Sequence, residues 1–279
     1  DNSLIENAEI EGYSDEALNE LGIDGNLESD EVVIVNSLAN YNAEGQLENI
    51  DFTNLKEGDT LKIPKTCIDY LKYDGEKNED INHIEIGIDN LKDCEELKKF
   101  ESEIKKLNLS VGIHLPMELN PCEDIEFIRE KWIEFIVELN NQLNFLDISY
   151  FNMHLGYVMT NRLNKNKEKY LNNMVDFFNK LSAKINCLIT IENTYTKGGD
   201  FSNMGSCVED FIYIFNHNKN IKFCYDSGHD LICKSEYFLL EDKTKLVHLS
   251  DNNGEEDEHL GISKGKLSFE ELNKILHIN

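Results

Sequence analysis

Six short apolar runs recur along this chain, at 84–88, 110–115, 147–154, 187–193, 221–226 and 245–250, and most close on a residue able to bind a metal ion. Those residues are His114, His154, Glu192, Asp226 (with His229 three positions on) and His248, with Asp257 and His259 following the last run. Between the runs lie amphipathic stretches. Leu91, Cys94, Leu97, Phe100, Ile104 and Leu107 repeat at helical spacing, and 125–139 and 170–185 do the same. Ser268 with Glu271 three residues later is a capping-box pattern that opens a final helix. Strands alternating with helices build a parallel sheet. Six or more such units favour a closed barrel. An open doubly wound sheet is disfavoured because no glycine-rich phosphate turn follows any run and polar residues end nearly every one. Imidazoles and carboxylates at the carboxyl ends of successive strands are what a metal site at a barrel mouth requires.

Charge narrows the partners. The chain carries a formal net charge of −27, and its only arginines are Arg129 and Arg162. The lysines at 98–99, 105–106 and 165–169 fall in helical patterns among acidic neighbours and read as solvated faces. Nucleic acid is therefore disfavoured as a partner, since binding it needs clustered basic residues to neutralise phosphates. No apolar run approaches the roughly 20 residues that span a bilayer, so no membrane association is expected. The first residues show no basic and apolar leader pattern. Seven cysteines without a CxxC pair read as free thiols, which points to a reducing compartment and a cytoplasmic protein. Cys224 stands out because it precedes Asp226 by two residues.

The acid is concentrated at the start. Residues 1–60 hold 16 acidic residues against a single base, Lys56. This break divides the chain into an acidic N-terminal accessory segment, 1–62, and a barrel, 63–279. The segment contains a strand-like run, Val32-Val-Ile-Val35, and its stretch 54–64 resembles the closing turn and strand of LysM glycan-binding modules.

Several motifs, in order, carry a wider resemblance: Glu85 in His83-Ile-Glu-Ile, His114-Leu-Pro, His154-Leu-Gly, Glu192-Asn-Thr, Asp226-Ser-Gly-His229, His248-Leu-Ser-Asp251-Asn, and Asp257-Glu-His259 followed by Gly265-Lys-Leu. Over about residues 80–270 the chain resembles the xylose isomerase-like TIM barrels, which join sugar isomerases and epimerases with endonuclease IV-type enzymes (AP endonuclease family 2). The resemblance implies an α/β fold of the TIM (β/α)8 type and a site holding one to three divalent ions, Zn, Mn or Mg. In trinuclear zinc members the ligands correspond to His114, His154, Glu192, Asp226, His229, His248, Asp257 and His259. In mononuclear sugar epimerases the metal is held at the positions of Glu192, Asp226 and His248, and His229 contacts substrate. The family's eighth strand ends in a further Glu that has no counterpart before Asn279. The barrel is thus expected to be truncated at its C-terminal end, or to have that slot filled by residues 32–35 beside the first barrel strand.

The leading expectation is a sugar or sugar-phosphate isomerase or epimerase. In it Glu192 moves a proton through an ene-diolate, His229 assists, and Glu85, Asn193 and Asp251 contact substrate. Two alternatives stand beside it: an endonuclease IV-like zinc phosphodiesterase acting on abasic DNA or a small phosphoester, and an inactive barrel that binds a ligand. His83, His217 and His277 read as ordinary structural histidines. The sequence leaves the oligomeric state open.

Overall fold

In a computed structural model of the protein, the described residues are 82–278 and the pair Val32–Val33. The expected boundary at residue 62, the LysM-like stretch and residues 34–35 lie outside them. The strands are β1 (Val32–Val33), β2 (His83–Gly87), β3 (Ser110–His114), β4 (Ile148–His154), β5 (Tyr157–Met159), β6 (Leu188–Glu192), β7 (Phe201–Asn203), β8 (Ile221–Asp226) and β9 (Thr244–His248). Seven of them form one sheet in the order β1-β9-β8-β6-β4-β3-β2, every pairing parallel. The result is a TIM-barrel-like α/β fold. Its two end strands, β1 and β2, share no ladder, although their Cα atoms approach within 8 Å. Val32 and Val33 pair with Val247 and His248, which places them in the sheet beside the last barrel strand. The small antiparallel pair β5–β7 stands apart from the sheet; its three-residue strands leave too little periodicity to be read from sequence.

The helices are α1 (Asp93–Lys98), α2 (Glu101–Leu107), α3 (Glu126–Gln142), α4 (Thr160–Leu163), α5 (Lys167–Ser182), α6 (Val208–His217), α7 (Ser227–Ile232) and α8 (Phe269–Ile275). The stretch expected as one helix over 91–107 is two, because Lys99 and Phe100 donate to Glu96 and Leu97 three residues back and tighten the turn. Helix α5 begins three residues before its apolar stripe because the Asn166 side chain caps it, accepting from the Lys169 amide at 3.2 Å. The capping box of α8 forms as expected, with Ser268 and Glu271 each accepting from the other's amide.

Side chains alternate across each strand, so one set packs outward on the helices and the other fills the barrel. Ile86, Ile113, Phe151, Met153, Ile191 and Phe223 are fully buried in the outer core with Phe177, Phe178 and Phe211 from the helices. Each such burial contributes about 1.5–3 kcal/mol. A separate cluster of Tyr150, Cys224 and Leu246 with Leu188 fills the lumen. The register sets the height of everything above it: Gly87 pairs with His114, His154 with Glu192 and Asp226 with His248. The ligand-type residues therefore reach the same end of the sheet.

Gly112 is required where it stands. A Cβ there would fall within the ring of Tyr150, whose hydroxyl is anchored on His83 Nε2 at 2.8 Å. Gly112→Ala is expected to cost about 1–3 kcal/mol by overpacking. In urea unfolding, Gly112→Ala should be less damaging in a Tyr150→Leu background than alone; strict additivity of the two would refute this packing account.

Candidate metal centre

Glu192, the last residue of β6, is the hub of the barrel mouth. Its Oε2 lies 2.6 Å from Asn152 Nδ2, 3.3 Å from His114 Nε2 and 3.2 Å from His248 Nδ1. Its Oε1 lies 3.5 Å from His154 Nε2 and 3.3 Å from His229 Nδ1. A carboxylate removed from water this completely survives as an ion only among such partners. Burial pushes the Glu192 carboxyl up, but His248, His114, His154 and His229 outweigh it and hold the group well below the usual carboxylate range.

The remaining ligand-type residues are set by strand ends and short turns. Asp226 ends β8 and caps α7, its Oδ1 accepting from the His229 amide at 2.7 Å. That turn, Asp-Ser-Gly-His, brings His229 back over the mouth, where Nδ1 contacts the Asn193 carbonyl at 2.8 Å and Nε2 meets Asp257 Oδ2 at 3.2 Å. His259 Nε2 reaches the same Asp257 oxygen at 3.1 Å. His248 ends β9, with Nε2 2.9 Å from Glu85 Oε1 and Nδ1 3.7 Å from Asp226 Oδ2. Burial draws His229 down, yet Asp226, Asp257 and Glu192 hold it well above an ordinary histidine. His248 behaves alike, with Cys224, Glu192 and Glu85 opposing its burial. His154, by contrast, is lowered by burial even beside Glu192.

All eight expected ligand residues therefore converge in one continuous network. Three sets of ligand atoms lie within 4.8 Å of one another: His114, His154 and Glu192; Glu192, Asp226 and His229; and Glu192, Cys224 and His248. Glu192 belongs to each. The donor set suits a divalent ion of the zinc or manganese kind. Asp257 Oδ1 and His259 Nδ1 are also buried without a hydrogen-bond partner, as free ligand atoms would be. A fourth acidic group, Glu126, Glu130 and Asp176, is a surface ion cluster in which Lys180 contacts all three.

The expected substrate contacts sit differently. The Asn193 side chain clamps the backbone of Asp226, accepting from its amide at 2.7 Å and donating to its carbonyl at 2.8 Å. Asp251 accepts from the amides of Asn252, Gly265 and Leu267, each at 2.8 Å, and so staples the loop that carries Asp257 and His259. Glu85 lies beneath His248, its side chain 3% exposed. Asn152 went unnoticed in the sequence. The available signal was alternation, since it lies two residues before His154 on the same strand. Cys224 thiol contacts Glu192 Oε2 at 3.9 Å.

The family model described as "Xylose isomerase-like TIM barrel" (AP endonuclease family 2) matches residues 79–279. An uncharacterized protein of Methanocaldococcus jannaschii is 30% identical over 182 residues, covering 61% of this chain and 66% of its own length. A probable endonuclease 4 of Thermosipho melanesiensis is 29% identical over 209 residues, covering 65% of this chain and 71% of its own. The crystal structure of a D-tagatose 3-epimerase-like protein superposes with a TM-score of 0.59 at 23% identity, covering 70% of this chain and 77% of that one, which is a likeness of fold. The chain thus spans about two thirds of the length of the curated relatives it matches.

The network gives the metal-free protein a defined pH response. The raised histidines His229 and His248 add stability that is full below their ordinary value of 6.5 and is lost as pH rises through their higher folded values. The depressed Glu192 adds stability present above its ordinary 4.5 and lost as pH falls through its lower folded value. Metal-free protein should therefore melt highest between these two ordinary values. Glu192→Gln should reduce the alkaline fall in Tm, because both histidines lose one of the anions that raise them; an unchanged alkaline limb in calorimetry would contradict this.

Proposed function

The chain belongs to the xylose isomerase-like TIM barrel family, and from that premise we propose that it is a divalent-metal-dependent phosphoester hydrolase of the endonuclease 4 kind. The observation that carries this reading is Glu192, shared by three ligand sets and held ionised by four imidazoles. A carboxylate with imidazoles from different segments at both oxygens offers each oxygen as a ligand atom. The isomerase reading asks Glu192 to take a carbon-bound proton, and it leaves Asp257 and His259 without a task.

Exposure divides the ligands into a floor and a rim. Glu192, Asp226 and His248 are nearly sealed, at 2%, 3% and 4% of side-chain exposure, whereas His114 and His259 are 21% and 26% exposed. The floor residues would hold ions in place, and the rim residues would meet the substrate. Divalent ions bound there would act as Lewis acids on a phosphoryl oxygen and promote attack by water. His114, His154 and Glu192 would form one holding set and Glu192, Asp226 and His229 a second, with Asp257 and His259 adjoining the second through His229 and His248 beside Glu192. Asn193 and Asp251 position these groups by fixing the Asp226 strand end and the 251–267 loop.

Net charge of −27 does not exclude nucleic acid as substrate. A relative named a probable endonuclease 4 matches over 65% of this chain, and cations bound at the site would offset its local negative charge. A sugar or sugar-phosphate epimerisation is the second reading, supported by the close approach of Glu192, Asp226 and His248.

The test pairs elemental analysis of protein purified without chelator with two assays. Hydrolysis of bis(p-nitrophenyl) phosphate and of an abasic-site oligonucleotide is expected, with two or three ions per chain. Glu192→Gln should cost at least roughly 100-fold in turnover, since residues merely supporting a ligand already cost 10–100-fold. A single exchangeable ion, together with deuterium exchange at the carbon beside a ketose carbonyl and no phosphoester hydrolysis, would transfer the assignment to the epimerase reading.

A further inference from the structure

Glu85 is a carboxylate of the network that lies below the end of its strand. It pairs in register with Gly112, one full side-chain layer beneath the level at which Gly87 pairs with His114. Its side chain is 3% exposed, with Oε1 in a charged contact 2.9 Å from His248 Nε2, while Glu85 Oε2 and His248 Nε2 are both buried without a hydrogen-bond partner. Below it, Tyr150 hydroxyl bonds His83 Nε2 at 2.8 Å, and His83 Nδ1 bonds Ser110 at 2.7 Å, closing the bottom of the lumen.

We propose that Glu85 is a positioning residue for the metal centre: its carboxylate lies against Nε2 of His248, favours the proton on that nitrogen, and so leaves Nδ1 as the ligand atom facing Glu192 and Asp226. This rests on the metal-dependent reading above. An imidazole can offer a lone pair from either ring nitrogen, and the nitrogen that keeps its proton is the one with a fixed acceptor. In His248 the Glu85 carboxylate lies 2.9 Å from Nε2 and is the charge nearest that nitrogen, while Nδ1 stands 3.2 Å from Glu192 Oε2 and 3.7 Å from Asp226 Oδ2. Each of those carboxylates also joins the set with His229. The geometry thus moves Glu85 from the substrate contacts, where its strand position alone would place it, to a support beneath the ligands. Gly112 serves the same end, because the absent Cβ lets the Tyr150 ring lie across the lumen beside Glu85.

The experiment compares wild type, Glu85→Ala and Glu85→Gln, loaded with Zn2+ alone and without substrate. Zinc affinity is read by chelator competition and the His248 tautomer by 15N NMR. Wild type is expected to hold His248 as the Nε2–H tautomer. Glu85→Ala should lose that single tautomer and bind its weakest ion about 10–100-fold less tightly. Glu85→Gln keeps an acceptor oxygen and should keep the tautomer, with a smaller loss of affinity. A role confined to folding would lower the unfolding midpoint without moving tautomer or affinity. Wild-type affinity and tautomer in Glu85→Ala overturn the proposal and leave the hydrolase reading standing. If Glu85→Ala does not fold, unchanged zinc affinity in Glu85→Gln overturns it instead. Failure of the wild type to take up any divalent ion defeats the hydrolase reading, and the positioning role falls with it.

Discussion

The structure at the barrel mouth depends on one electrostatic arrangement: a single buried carboxylate, Glu192, with imidazoles around both its oxygens. An isolated carboxylate there would be driven to its neutral form by desolvation. Four histidines from four different segments prevent this, and three of them are in turn held by a group behind them. Asn193 carbonyl meets His229, Glu85 meets His248, and the Leu115 carbonyl meets His114 at 2.9 Å. Removing the hub leaves positive or unpaired groups facing one another in a dry site. The same compensation leaves a cluster of ligand atoms whose charges a divalent cation would satisfy better than the imidazoles do.

Parallel pairing is what delivers those groups to one place. In a parallel sheet every strand ends on the same side, so a residue type placed last in each run arrives at a common rim. The register then sets depth, and side-chain alternation decides which residues see the lumen. Turns refine the rest. The short α7 turn returns His229 over the site, and Asp251 ties back the loop that brings Asp257 and His259 from beyond the sheet.

Much of the candidate site was legible in the chain because ligand-type residues sit at the last position of apolar runs. His114, His154, Glu192, Asp226 and His248 are recognised from that pattern, and His229, Asp257 and His259 from their spacing to it. Asn152 was not legible, since an asparagine inside an apolar strand has no meaning until its neighbour across the sheet is known to be a carboxylate. Asn193 and Asp251 read from the sequence as substrate contacts. Their partners are backbone amides and carbonyls, which a sequence does not display.

Local rules determined the alternation of strands and helices, the capping box of α8 and the parallel α/β class, because periodicity and caps are properties of neighbouring residues. The divided helix at 99–100 escaped those rules only by a local tightening of the turn. The tertiary structure alone decided which carboxylate became the hub, where Glu85 stands relative to the mouth, and that Val32–Val33 pairs with β9. Those outcomes depend on register and on contacts between residues dozens of positions apart, and no local pattern in the chain encodes the distance between them.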